Sequence, residues 1–243
     1  MIDFLSYNIQ AGIGTARARD YLLRVHRQFM HVKPKTEILE KIARYIRPFD
    51  IVCLQEVDLG GARSGFKNQA DFLKEKADFP FMAVQRTRRV GGLSIHGNVI
   101  LSRQIIVHQN SYVLPGTVKG RGLLTALIGH RSQITIANTH LSLGANDQKK
   151  QFQFIDNVLS ENSRVILAGD FNCTPTSETL REFDDYSELD MVTEDHHHAF
   201  PSWKPERAID HIFVSKSLGP QTCEVGNVLY SDHRPLRLKI LAD

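Results

Sequence analysis

The 243-residue chain is 42% hydrophobic and 23% charged, an ordinary globular composition, and its net charge of +3 is too small to name a partner. No apolar run approaches the roughly 18 residues that a membrane-spanning helix needs. Three widely spaced cysteines exclude a disulfide scaffold and fit a reducing compartment. With no basic stretch and long apolar core ahead of "MIDFLSYNIQ", the expected location is cytoplasmic. The length suits one domain spanning 1–243.

"DFLSYNIQ" (3–10) reads as a strand that runs into Gly12 and Gly14. Residues 15–35 carry Arg17, Arg19, Arg24, Arg27, Lys33 and Lys35 against Asp20, and read as a long basic loop. "TEILEKIARYI" (36–46) places Ile38, Ile42 and Ile46 on one helical face, with Thr36 as N-cap and Pro48 as stop. Strands follow at 50–57, 79–86 and 97–103, with a helix at 68–77 and a second basic, loop-like cluster, "QRTRR" (85–89). Residues 104–114 and 123–130 read as neighbouring strands, and "QITIANTHLS" (133–142) alternates cleanly. A helix over 146–161 has Phe152, Ile155 and Leu159 at helical spacing, and strands at 164–172, 208–215 and 235–240 complete the pattern. No repeat is visible. Two β-rich halves with intervening helices predict an α/β sandwich of two packed sheets between helical layers.

"VILAGDFNCTP" (165–175) raises a chemical question. A buried strand ends in Gly169, then Asp170 and Asn172, which on extended chain point the same way. These can be turn residues or a site. Similar polar groups end or interrupt the other strands: Asn8, Glu56, Asn98, His140, Asp210, Asp232 and His233. If the strand ends converge, the carboxylates repel unless something positive sits among them. Oxygen donors of this kind suit Mg²⁺, or Mn²⁺, better than Zn²⁺.

Seven motifs, "SYNIQ", "CLQEV", "GNVILS", "NTHLS", "GDFNCTP", "IDHIFVS" and "SDHRPL", span residues 6–236. In this order they resemble the endonuclease/exonuclease/phosphatase superfamily, the deoxyribonuclease-like metal-dependent phosphoesterases. The resemblance implies a four-layer α-β-β-α sandwich with two mainly antiparallel sheets face to face. It makes Glu56 the principal metal carboxylate, with Asn8 beside it holding metal or phosphate and Asp232 orienting the metal or its water. It makes His233 the general base or phosphate ligand, held by Asp210. Asp170 would orient or activate water, Asn172 would donate to a phosphoryl oxygen, and His140 would be an acid near the leaving oxygen.

Asn98 and Arg121 are candidate substrate contacts, the latter because a guanidinium forks onto two phosphate oxygens. Arg103 and His211 read as structural, and Cys173 lacks a partner base. His196, His197 and His198 read as a solvated loop rather than a metal patch. Trp203 either packs its loop or touches substrate. The expected activity is hydrolysis of a small or lipid-headgroup phosphodiester. The alternatives are a nuclease on DNA or RNA and a silent phosphate-binding module. The basic 15–35 segment offers contact to a nucleic-acid backbone or an anionic lipid surface. Few aromatics are available for base stacking or for wedging into a duplex.

Overall fold

The computed structural model describes residues 1–14, 33–130, 132–219 and 221–241. They form twelve strands in two six-stranded sheets and four α-helices. In chain order these are β1 (Ile2–Asn8), α1 (Lys33–Ile46), β2 (Ile51–Asp58), α2 (Gln69–Lys76), β3 (Phe81–Val90), β4 (Ser94–Ser102), β5 (Ile106–Val113) and β6 (Gly122–Ile128). Then come β7 (Ile134–His140), α3 (Ala145–Leu159), β8 (Val165–Asp170), α4 (Glu178–Tyr186), β9 (Leu189–Met191), β10 (Asp210–Ser215), β11 (Gln221–Val225) and β12 (Leu236–Ile240).

The sheet orders are β11-β12-β1-β2-β4-β3 and β5-β6-β7-β8-β10-β9. Only β1–β2 and β7–β8 pair in parallel. An α-helix connects each of these pairs, as a parallel crossover requires. The run β1-α1-β2-α2-β3-β4 therefore has the same topology as β7-α3-β8-α4-β9-β10. The chain does contain a repeat, in its topology rather than its residues.

The period-2 pattern of the strands builds three cores. Phe4, Ile51, Cys53, Ile166, Ala168 and Ile212 fill the space between the sheets. Leu5, Tyr7, Val52 and Leu54 face the other way, onto Ile42 and Ile46 of α1 and Leu73 of α2. Ala137, Leu167 and Phe213 meet Phe152 and Ile155 of α3 and Phe183 of α4. Burying each such large side chain contributes about 1.5–3 kcal/mol, so these layers supply most of the driving force. The result is the expected four-layer α/β sandwich.

Three local readings need correction, and one falls where the structure does not describe the chain. The helix starts at Lys33, three residues before Thr36, with Pro34 in its first turn, where a missing N–H is no loss. Residues 15–32 of the basic segment lie outside the described residues. "QRTRR" is strand rather than loop, because β3 runs on to Val90 opposite β4. The helix α4 and the strands β9 and β11 have no counterpart in the sequence reading.

Candidate active site

The repeat explains where the polar residues go. Asn8 and His140 are the last residues of β1 and β7, the first strands of the two parallel pairs. Asn8 sits opposite Gln55, and His140 opposite Asp170. Asp170 sits in turn opposite Asp210. These side chains continue the inward-facing positions of their strands, so both sheets deliver them to one end of the sandwich.

Glu56 reaches that end by a different device. The β2–β4 register slips between Leu54 and Val57, and Glu56 takes a φ of 56°. Such a bulge re-aims a side chain at the cost of local strain. Simple alternation would send Glu56 into the helix layer. Instead Gln55 stays in the inter-sheet space, donating to Asn138 Oδ1 at 2.7 Å, and Glu56 lines the cleft.

The contacts form one connected group. Asn8 Nδ2 donates to Asp170 Oδ2 at 3.0 Å and Glu56 Oε1 at 3.3 Å. Asp210 Oδ2 lies 2.8 Å from His233 Nδ1. His233 Nε2 and His140 Nε2 lie 3.7 and 3.5 Å from Asp170 Oδ2. Gln10 Nε2 donates to Asp232 Oδ2 at 2.9 Å. Sequence reasoning passed over Gln10; its only signal was its place two residues after Asn8.

"GDFN" is more than a lip. A Cβ on Gly169 would stand 1.9 Å from the Thr139 carbonyl oxygen, so only glycine lets β7 approach β8 here. Gly169→Ala should lower stability by about 3 kcal/mol or more, read by urea denaturation. A loss below about 1 kcal/mol would show that the strands can part at no cost. Phe171 is fully buried against Phe152 and Phe213, anchoring the strand end to the α3–α4 core. Asn172 does not continue the strand direction. Its φ is 55°, its N–H donates to Asp170 Oδ1 at 3.0 Å, and its side chain donates to the Leu141 carbonyl at 2.9 Å.

Electrostatics separates the two histidines. Burial alone would lower His233, but Asp210 and Asp170 outweigh it and hold the imidazole well above its ordinary value. His140 is pushed well below it by burial, Arg121 and His233, and stays neutral. His140 can therefore offer a hydrogen bond at neutral pH rather than a stored proton. Burial raises Asp170 to about 7, and burial together with Asp232 raises Glu56.

Asn98 is buried, and its amide donates to Gln85 Oε1 and the Gly122 carbonyl, which leaves no N–H for a substrate. Arg121 lines the cleft with Glu56 and His140. The loop containing Trp203, which is half-buried, is strapped to the 231–234 turn: Ser202 N–H donates to the Asp232 carbonyl at 2.7 Å and Arg234 Nε to the Ser202 carbonyl at 2.7 Å. Phe200 packs on His233, ring centroids 4.9 Å apart. His211 is buried between Thr193 and the Cys173 carbonyl. Cys173 is itself buried, and its thiol is pushed up to about 12 by burial, which makes it a poor nucleophile. His197 binds the Cys223 carbonyl while His196 is exposed beside Glu194. Arg103 donates to the Phe49 carbonyl and caps the Phe79 ring.

Among the described residues, Asp170, Asp210 and His233 form a group whose ligand atoms all lie within 4.8 Å of one another. Asn8 joins it through Asp170, and Glu56 through Asn8. Raised carboxyls crowded at one strand end, with oxygen donors dominant, fit a hard divalent cation.

The structure is similar to that of a mannosyl-6-phosphatase from Bacteroides thetaiotaomicron, at 19% identity and a TM-score of 0.74 with both chains fully covered. It is also similar to sphingomyelinase C from Streptomyces griseocarneus, at 16% identity and a TM-score of 0.70 over 98% of each chain. An endonuclease/exonuclease/phosphatase family protein from Leptotrichia buccalis has 20% identity and a TM-score of 0.76 with both chains fully covered. No curated protein matches the sequence. The Endonuclease/Exonuclease/phosphatase family model matches residues 5–233, nearly the whole chain, and the protein belongs to that family.

Proposed function

We propose that the protein is a divalent-metal-dependent phosphodiesterase acting on a small or lipid-headgroup phosphodiester. Members of its family are hydrolytic phosphoesterases and generally use divalent metals. The observation that carries the reading is the Asp210–His233–Asp170 line beside Glu56 and Asn8. Glu56 and Asn8 would hold Mg²⁺, or Mn²⁺, with Asp232 orienting it. When bound, such an ion would supply Lewis-acid polarisation of the phosphoryl group and stabilisation of the leaving oxygen.

The chain's own groups do the rest. Asp210 orients the His233 ring by accepting the Nδ1–H hydrogen bond, leaving Nε2 to act on the phosphoryl group or the attacking water. Asp170, braced by the Asn8 amide, orients that water. Asn172 uses one amide N–H on Leu141 and offers the other to a phosphoryl oxygen. His140 donates a neutral N–H near the leaving oxygen.

The test is a panel of bis-p-nitrophenyl phosphate, glycerophosphodiesters, plasmid DNA and single-stranded RNA with Mg²⁺ at two salt concentrations. Turnover of the small diesters with little salt effect supports the reading. Activity confined to nucleic acid, falling steeply with salt, would replace it with a nuclease.

A further inference from the structure

The cleft has two unlike walls. Glu56 and His140 stand on the reaction side, while Arg88, His96, Lys119 and Arg121 line the other. Two backbone devices bring Arg88, Lys119 and Arg121 together. The β3–β4 register slips between Arg86 and Arg88, so Arg88 rather than Thr87 comes opposite His96, and Thr87 Oγ1 donates to the His96 carbonyl at 3.2 Å. The 119–121 turn then folds onto Arg88: Gly120 has a φ of 90°, and a Cβ there would lie 2.6 Å from Arg88 Cβ. That contact fits only glycine. The turn seats Arg121 between Arg88 and the reaction centre, within the fields of Glu56 and Asp170.

Among the described residues, neither Arg88, Lys119 nor Arg121 has an ion-pair partner. Three like charges converging on a concave wall repel one another until an anion arrives. Their concentration here is local, since the whole chain carries only +3.

We propose that this wall is a second anion site: the substrate carries a second phosphate, which lies against Arg88, Lys119 and Arg121 while the ester phosphate is cleaved beside Glu56 and His233. The proposal rests on the phosphodiesterase reading and narrows its substrate class to diesters bearing a further phosphate on the same small scaffold. Guanidinium forks match phosphate oxygens bidentately, and the lysine adds a point charge. A leaving group with a fixed positive charge, such as choline, meets repulsion at the same wall.

Two matched pairs test it, with Mg²⁺ present throughout. One is thymidine 5′-(p-nitrophenyl phosphate) with and without a 3′-phosphate. The other is glycerophosphoinositol with and without a ring 4-phosphate. The expected result is a kcat/KM higher by about tenfold or more for the doubly phosphorylated member of one pair, the scale of a charge-assisted contact. The pair that responds tells a nucleotide from an inositol headgroup. In the R88A/K119A double variant that ratio should fall to within about twofold of one. Both side chains are exposed, so the variant should fold, and an unchanged melting temperature checks this. A ratio near one in the wild type, with bis-p-nitrophenyl phosphate still hydrolysed, overturns the second site alone. A ratio that survives the double variant also overturns it. Failure to hydrolyse any of these esters overturns both readings.

Discussion

Changing Asp210 to Asn is expected to lower turnover by about three to four orders of magnitude with the fold intact, the scale of the loss when the carboxylate of a hydrolytic triad becomes an amide. Asp210 Oδ2 lies 2.8 Å from His233 Nδ1. An Asn there can present an N–H to Nδ1, which favours the opposite tautomer and moves the imidazole proton to Nε2. It also removes the charge that, with Asp170, holds His233 protonated against burial. His233→Ala should cost a similar factor, and the two changes should not add, because both disable one unit. Steady-state kinetics on bis-p-nitrophenyl phosphate with a melting curve for each variant checks this. Near-normal turnover in both would remove the Asp210–His233 pair from the mechanism.

Glu56→Gln is expected to abolish metal-linked stabilisation. Mg²⁺ at about a hundredfold over its dissociation constant contributes about 2.7 kcal/mol. For a chain of this size that raises Tm by roughly 5–10 °C, whereas the variant should gain under about 2 °C. The pH dependence has a definite sign. Asp170 is raised to about 7, and Glu56 is raised, chiefly by burial. Without metal these carboxyls keep protons that the unfolded chain releases near its ordinary carboxylate values. Their contribution is therefore fully present below about pH 4 and is lost as pH rises through about 7. A cation needs the ionised carboxylates, so the Mg²⁺-induced rise in Tm should grow from about pH 5 to pH 8. Differential scanning calorimetry at the two pH values, with and without Mg²⁺, reads both effects. An equal Mg²⁺ response in the variant would place the ion elsewhere.

Much of this site was legible because strands have a period of two. Asp170 and Asp210 each extend an inward-facing apolar row by one step, and Asn8 and His140 continue rows that have already turned polar at Ser6 and Asn138, so an alternating sequence that turns polar at its end marks the mouth of the core. The Gly in "GDFN" was legible as a break or a close approach, and the structure chooses the latter. Glu56 was marked by its motif but not by its alternation, since the bulge that aims it shows only in the pairing of β2 with β4. The same limit hid Arg88, whose direction depends on a slip opposite Gly97. Asn98 keeps the place on the cleft that its position before a strand suggested, but its amide N–H groups go to Gln85 on the neighbouring strand and Gly122 of the other sheet, partners that sequence does not record. The α4 helix buries few side chains, chiefly Leu180 and Phe183, β11 is an edge strand with alternate residues exposed, and β9 is three residues long. Such elements are set by packing rather than by pattern. The topological repeat escaped notice because its halves share connectivity but place unlike residues, such as Asn8 and His140, at matching positions.

The most direct test strips the wild-type protein with EDTA and follows bis-p-nitrophenyl phosphate hydrolysis before and after Mg²⁺ or Mn²⁺ is restored. Turnover should be absent from the stripped protein and return with the metal. Full turnover by the stripped protein would contradict the assignment of these strand ends as a metal-dependent phosphoesterase centre.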